Sequence, residues 1–462
     1  MEIKITLYAY IFFVAILSLA SYKKGIYIIW FTFLFVPTII LETLMSELRW
    51  PMETMLMLAS VVMELRLKER RILWASFFVE NQRAVLAYLF VSLMIVFLSQ
   101  TVPLIEQLRL LFVEMVMLLF ALQTFLLVQT EYGSAMILKK ILCSAIIFNL
   151  LFCVVFEVVI GINPAAMPLY ILLGVDDNQF IVDMIDAERG NMSFRAQTIY
   201  RHPLSLGQYM LVMLPLFFRG KRWIINLFFI LIACSLVFLS ASRGAMAPMA
   251  LVLFLYIIKN LKTDLKSNLK RLVFVLVVFI IGLSFVPNRI WKNVSVEMEP
   301  IVASLQFWDD EKQEDNDISG SSMEMRINQL NASFIEIEDN PVFGRGYGYR
   351  EYWMYKHNDL HPDLLGFESV LVYYLVERGW IGLLFFFAMA YYIYRLFSKN
   401  MVDKTIIRYI FIGYILSIIM TGVRPLTLLF VCLTCSIVYS SSEKVIKETD
   451  IGNFEYQGNE TC

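Results

Sequence analysis

Charge is what this sequence most lacks. Asp, Glu, Lys and Arg make up 17% of the 462 residues, against 59% hydrophobic, where soluble domains carry roughly 25% charged residues. The shortfall excludes the string of soluble domains that length alone would suggest. Histidine is scarce too. His202, His357 and His361 are the only three, and none stands at metal-ligand spacing from a carboxylate or cysteine, so neither a metal nor a cofactor is expected. The six cysteines (Cys143, Cys153, Cys234, Cys432, Cys435, Cys462) fall in apolar stretches or the C-terminal tail, which excludes a disulfide framework. Cys432-Leu-Thr-Cys435 has no further ligands nearby and reads as packing. No strong internal repeat is visible. The GRGYG run at 344–348 has no strand–helix context, so a nucleotide cradle is rejected, and no nucleic acid partner is expected.

What the sequence does have is apolar blocks of about 17–25 residues, the length a helix needs to cross hydrocarbon. They lie near 5–20, 26–41, 51–65, 84–100, 110–129, 141–161, 204–218, 223–239, 245–258, 272–287, 369–394, 408–421 and 425–440. The expected fold is all-α: a polytopic helical membrane protein of about 12–13 transmembrane helices. The first block follows Met1 almost directly, as an anchor would rather than a cleavable signal. Stretch 72–83 is ambiguous between a span and a surface segment. Every second junction is basic (Lys23/Lys24, Arg66 to Arg71, Lys139/Lys140, Arg219 to Arg222, Lys259 to Arg271, Arg395 to Arg408, Lys444/Lys447), and this places those junctions and the C-terminus in the cytoplasm.

The sequence divides into N-terminal spans (1–161), further spans with a first outer segment (162–287), a large outer loop (288–366), C-terminal spans (367–440) and a cytoplasmic tail (441–462). In the outer loop, SSMEMRINQLNASFIEIEDN predicts a helix. Ser321-x-x-Glu324 is a capping box. Ile327, Leu330, Phe334 and Ile337 form the apolar face expected to be buried, and Asn340-Pro341 ends the helix.

Arginines gather at the outer ends of the later spans: Arg195, Arg201, Arg243 in LSASRGAMAP, Arg326 on the loop helix and Arg424 in TGVRPL. A guanidinium at such a boundary costs several kcal/mol unless it meets water, a cavity or an anion. One such arginine is explained by snorkelling. Several on one face, beside a Gly-rich turn containing Gly346 that could expose N–H groups, point to a shared phosphate ligand, which guanidinium forks match and lysine cannot. Nucleotides are absent on that side, so a lipid-linked phosphate or diphosphate is the candidate.

RAQTIYRHPLSLGQYM, then SRGA, then an arginine-bearing loop helix with DNPVFGRGYG, and finally a polar pair, nine residues and Gly379-x-x-Gly382 follow in one order. Over about residues 190–390 this arrangement resembles the O-antigen ligase and O-antigen polymerase superfamily. That resemblance implies a metal-independent glycosyltransferase of the bacterial inner membrane with its site facing the periplasm. Its donor would be an undecaprenyl-diphosphate-linked glycan, its acceptor a second such glycan or lipid A-core, and a partner would set chain length. The family implicates the SRGA arginine, here Arg243, and an arginine on the loop helix, here Arg326. Where its ligase branch has a His-Asn or His-Ser pair, this sequence has Glu368-Ser369, which places polymerase ahead of ligase.

A carboxylate can take the acceptor proton as a histidine does. Glu368 is therefore the expected base, with a polar helix cap as its bland alternative. Arg195, Arg201, Arg243 and Arg326 would hold the departing diphosphate; His357, His361 and Arg424 are secondary candidates. A helix over 369–394 would run about 39 Å, longer than the hydrocarbon core, so residues 364–378 are expected at the interface and the crossing starts at Gly379. Structural pairing with other helices is expected for Glu377 and Arg378. From another class, a lipid-linked-oligosaccharide flippase or transporter would also suit many spans with arginines, but transporters favour internal repeats and midplane sites. A purely structural membrane protein gives no reason for the arginines.

Overall fold

The computed structural model describes residues 2–43, 49–99, 101–160, 163–165, 195–219, 222–263, 323–357, 369–399, 401, 403–423 and 426–440. The expected span at 272–287, the capping serine Ser321, the C-terminal tail, and the site candidates Glu368, His361 and Arg424 lie outside these residues.

Among the described residues the protein is helical without strands. The helices are α1 (Glu2–Ala20), α2 (Tyr22–Phe35), α3 (Thr38–Leu41), α4 (Met52–Leu65), α5 (Lys68–Glu80), α6 (Gln82–Leu98), α7 (Leu104–Thr130) and α8 (Tyr132–Phe152). Helix α8 continues as a π-helical stretch, Cys153–Ile160. There follow α9 (Pro203–Met213), α10 (Trp223–Leu239), α11 (Arg243–Thr263), α12 (Met323–Glu336), α13 (Tyr349–His357), α14 (Val370–Ser398), α15 (Thr405–Thr421) and α16 (Thr427–Ser440).

By length and composition, Leu104–Thr130, Gly133–Ile160 and Val370–Ser398 can each cross a membrane. Helices α5 and α6 qualify only as a pair, bent by 78°. The bend falls in the ambiguous stretch 72–83, between α5, which carries Lys68, Glu69, Arg70 and Arg71, and α6, whose interior is uncharged. Shorter apolar helices (Ile5–Ala20, Pro203–Phe217, Trp223–Leu239, Thr405–Thr421, Thr427–Ser440) complete a polytopic membrane protein.

The alternating ends expected from Lys and Arg are matched by contacts. At one end of the bundle Lys23 pairs with Glu131 and Arg70 with Glu64. Lys399 reaches Glu80 at 3.0 Å and Lys259 reaches Asp403 at 3.1 Å. These pairs join the ends of α2, α4, α5, α7, α11, α14 and α15 that the charge pattern assigns to one side. The exposed pairs contribute less than about 1 kcal/mol each, so what they report is shared orientation. The SRGA turn lies at the opposite end of α10 and α11.

A shared aromatic core fixes the two halves of the bundle against each other. Trp30 of α2 donates its indole N–H to Thr124 Oγ1 (3.0 Å) and packs against Phe120 of α7 and Phe430 of α16. Tyr209 of α9 stacks on Phe430 with ring centroids 4.5 Å apart. Satisfying the indole inside the bundle lets Trp30 be fully buried. Through Phe430 and Tyr209 the N-terminal half sets the position of α9, and α9 carries the first wall of the site.

The loop helix forms as α12, but with a different buried face. Ile327 and Phe334 are exposed, while Gln329, Ser333 and Ile337 are buried. The small and polar stripe is the one turned inward, with Ala332 packed near Val372 and Val376 of α14. Beside a membrane, apolar side chains need no protein partner, and small residues let helices approach closely. Ile337 is buried as expected and Leu330 half-buried, so the inward face is shifted from the expected one at Ile327 and Phe334. Arg326 stands three, seven and eleven residues before Gln329, Ser333 and Ile337, so it extends that inward stripe.

Candidate active site

Four segments meet at the SRGA end. The turn Ser240-Ala241-Ser242 leads from α10 into α11, with Ala241 at φ 47° and Arg243 as the first residue of α11. Helix α9 crosses against it: a Cβ on Gly207 would stand 2.8 Å from Ser240 Oγ and 3.0 Å from the Cβ atoms of Ser242 and Ala245. Gly244 presses on the side chain of Thr421 at the end of α15. From α9, Gln208 donates to Thr421 Oγ1 (3.0 Å) and to Gly422 O (2.8 Å), and its own oxygen accepts from Thr427 Oγ1 (2.9 Å). Gln208 is fully buried and knits α9, α15 and α16 into one corner.

The preceding strand of backbone brings Arg195 into this corner. Ala196 N–H donates to Leu239 O (2.9 Å), and Arg195 Nε approaches Ser240 O at 3.4 Å. Arg195 and Arg243 thus flank the same three-residue turn, each partly exposed. The segment 196–200 is held from below. Glu157, buried on the π-helical stretch, accepts from Gln197 N–H (2.9 Å), Thr198 N–H (3.1 Å) and Asn163 Nδ2 (2.8 Å). Asn149 Oδ1 accepts from Thr198 Oγ1 at 2.6 Å. Thr198 sits at φ 55°, a costly conformation for a β-branched residue, and these bonds hold it there. Glu157 was not singled out from sequence; an acid inside an apolar span was the available signal.

Arg201 is turned elsewhere. Its guanidinium pairs with Glu42 at 2.9 Å and its N–H donates to Thr38 Oγ1 at 2.7 Å, which fixes α3 to the site rim. His202 is the N-cap of α9, its Nδ1 accepting from Leu204 N–H at 3.1 Å. His357 lies exposed at the end of α13, stacked on Trp353 with centroids 3.8 Å apart.

Glu368 is one peptide bond from Ser369, and Ser369 is well placed. Its Oγ donates to Ile419 O (2.6 Å) and accepts from Leu371 N–H (3.2 Å), making it the N-cap of α14. The cap position therefore belongs to Ser369 and not to Glu368. Ile419 lies two residues before Thr421, the residue against which Gly244 packs. Ser369 and the SRGA turn are both tied to the last turn of the same helix, α15. The N-termini of α9, α11, α14 and α16 all open there, and helix N-termini carry partial positive charge suited to an anion.

The Gly-rich turn does a different job from the one expected. Arg345 N–H donates to Val376 O and Gly346 N–H to Glu377 O, both at 2.8 Å. Tyr347 N–H donates to Gln107 Oε1 at 3.2 Å, and Gly348 N–H to the Glu377 carboxylate. All four N–H groups are spent within the protein, so Gly346 is removed from the diphosphate ligands. Its φ of 109° and a would-be Cβ contact of 2.7 Å with Gln107 Oε1 explain the glycine.

The partner of this turn is a break in α14. Gly379 has φ 63° and ψ −167°, splitting α14 into a half-helix (370–378) and a longer apolar part that follows it. Trp380 N–H donates to Pro341 O (3.0 Å) and Ile381 N–H to Val342 O (3.2 Å). Arg378 pairs with Glu114 of α7 (2.7 Å) and lies over the rings of Tyr347 (4.1 Å) and Tyr374 (4.3 Å). Each desolvated cation–π contact of this kind contributes about 2 kcal/mol. Burial pushes the Tyr347 phenol up to about 12 despite the Arg378 guanidinium beside it, so the ring stays neutral at physiological pH. The expectation of structural pairing for Arg378 matches this geometry.

The site thus lies in an all-α membrane bundle, with an arginine-flanked turn at one end and a broken helix, α14, packed against α12. Residues 227–387 match the family model described as O-Antigen ligase. The matched region is similar to that family from α10 through SRGA, α12 and the glycine motifs into α14. No curated protein matches the chain. Family members are glycosyltransferase-like enzymes using lipid-linked glycan and an acceptor.

Proposed function

We propose that this protein polymerises undecaprenyl-diphosphate-linked oligosaccharide repeat units at the periplasmic face of a bacterial inner membrane. The observation that carries this is the single corner formed by Arg195, Arg243, the N-termini of α9 and α11, and Ser369 on Ile419 O. In that corner the diphosphate of the donor lies against Arg195 and Arg243, with Arg326 reaching from α12. The acceptor hydroxyl loses its proton to Glu368 as its oxygen bonds to the anomeric carbon. The bond from that carbon to the diphosphate oxygen breaks, and the electron pair leaves with the diphosphate, where guanidinium groups stabilise it. No metal is needed for charge neutralisation in this scheme.

Glu368 in place of the ligase-type histidine favours polymerase, whereas the matching family model carries the description ligase. Deleting the protein separates the two. Loss of a polymerase leaves single repeat units on lipid A-core, and loss of a ligase leaves polymer on undecaprenyl diphosphate. Glu368→Gln keeps shape and removes the base, so transfer should fall about 10²- to 10⁴-fold, the usual contribution of general base catalysis. Polymer ladders on gels measure it, and wild-type ladders from that variant would reject Glu368 as the base.

A further inference from the structure

We propose that Arg378 is a positioning residue. Together with Glu114, Tyr347 and the Gly344–Gly348 turn it clamps the half-helix 370–378, and this sets where its N-cap, Ser369, stands relative to the SRGA turn. The transferase reading is assumed for the kinetic consequence only.

The need for a clamp follows from the break. At Gly379 (φ 63°, ψ −167°) the helical backbone is interrupted, so the membrane-crossing part cannot by itself dictate the direction of residues 370–378. Lateral contacts must do so. At its start the half-helix is held by the bond from Ser369 Oγ to Ile419 O and by Val370, buried in the core. At its end it is gripped on two sides. The Gly-rich turn donates Arg345, Gly346 and Gly348 N–H groups to Val376 and Glu377. A Cβ on Gly344 would stand 2.6 Å from Val376 O, so the turn lies directly on the half-helix.

Arg378, the last residue before the break, reaches across to α7. Both its terminal nitrogens address Glu114 (2.7 and 3.3 Å). The guanidinium is sandwiched between a ring from the turn, Tyr347, and a ring from the half-helix, Tyr374. One side chain thereby links the turn, the half-helix and a long membrane-crossing helix. A planar fork flanked by two rings defines a direction, which an ammonium cannot do. Arg378 stands nine residues after Ser369 and does not lie in the SRGA corner, so it acts on the reacting groups through the half-helix.

The test uses the full-length protein in lipid nanodiscs with a short undecaprenyl-diphosphate-linked oligosaccharide as donor and acceptor. In Arg378→Gln and in Glu114→Gln, kcat is expected to fall about 100-fold, the scale of a misplacement near 1 Å, with KM within about twofold because the diphosphate grip is elsewhere. The double variant should be no worse than either single one, as for two members of one contact, and Arg378→Lys should recover only part. Hydrogen exchange of amides in 370–378 and 344–348 should accelerate in each variant while α9, α11 and α15 stay protected. A raised KM at unchanged kcat, unchanged exchange in 370–378, or accelerated exchange throughout the bundle would each overturn the clamp. If the wild-type protein transfers no glycan, the functional reading fails and the exchange pattern alone decides the clamp.

Discussion

Arg243→Ala is expected to abolish polymer formation while the protein remains in the membrane at wild-type abundance. The turn that presents Arg243 is secured by groups other than its guanidinium. Gly207 and Gly244 provide close backbone approach, Gln208 bridges α9 to α15 and α16, and the backbone of Ala196 binds that of Leu239. Truncating the side chain therefore leaves the corner standing. What disappears, on the proposed reading, is the charge that meets the leaving diphosphate. Removing one preorganised group of this kind costs about 10²- to 10³-fold in rate. Arg243→Lys restores the charge without the fork and should recover only part. The surface glycan ladder measures activity, and a blot of the membrane fraction measures abundance. A normal ladder from Arg243→Ala would remove this residue from the site. Arg326→Ala is expected to give the same loss, by removal of the charge that α12 brings from the far side.

The largest effect on stability is expected at Gly379. Its backbone conformation is one that essentially only glycine adopts, and strain of that kind costs about 1–3 kcal/mol. A Cβ there would also run into the Val342 carbonyl and lie 2.7 Å from Gly344 N. These are backbone atoms that cannot swing aside, and the neighbouring Val342 carbonyl already accepts from Ile381 N–H. Gly379→Ala should thus lower stability by about 3 kcal/mol or more and open the contact between the glycine turn and α14. Gly413→Ala serves as the control, since its nearest would-be neighbours stand at 3.4 Å, ordinary contact. Thermal unfolding of the two variants in detergent compares them, and equal midpoints would show that the break at Gly379 carries no strain.

Several features were legible in the linear chain because they depend on local chemistry. Apolar blocks of span length can hide their backbone only as helices, so the all-α membrane fold follows from composition. Helix length against membrane thickness singled out Gly379 as a boundary, but not the break in the backbone there. The SRGA arginine stood out because a guanidinium among small residues between two apolar helices has few ways of being satisfied.

Other features escaped because they depend on which distant segment arrives. Periodicity identified α12 but assigned Ile327 and Phe334 to the buried face, since the rule presumes water outside; beside a membrane, Gln329 and Ser333 turn inward instead. Glycine spacing suggested open N–H groups at 345–348, but Val376, Glu377 and Gln107 consume them. Glu42 claims Arg201 across more than a hundred residues, and Glu157 sets the turn that carries Arg195.

Sequence alone determined that this chain is a helical membrane protein, and it singled out the arginines between its apolar blocks. Each of those is set by the solvation cost of a segment in its own surroundings. Only tertiary structure decided which arginines share a corner and which glycine N–H groups are already used. Hydrogen bonds and ion pairs between remote segments carry no periodic trace in the chain, and they exist only once the helices have packed.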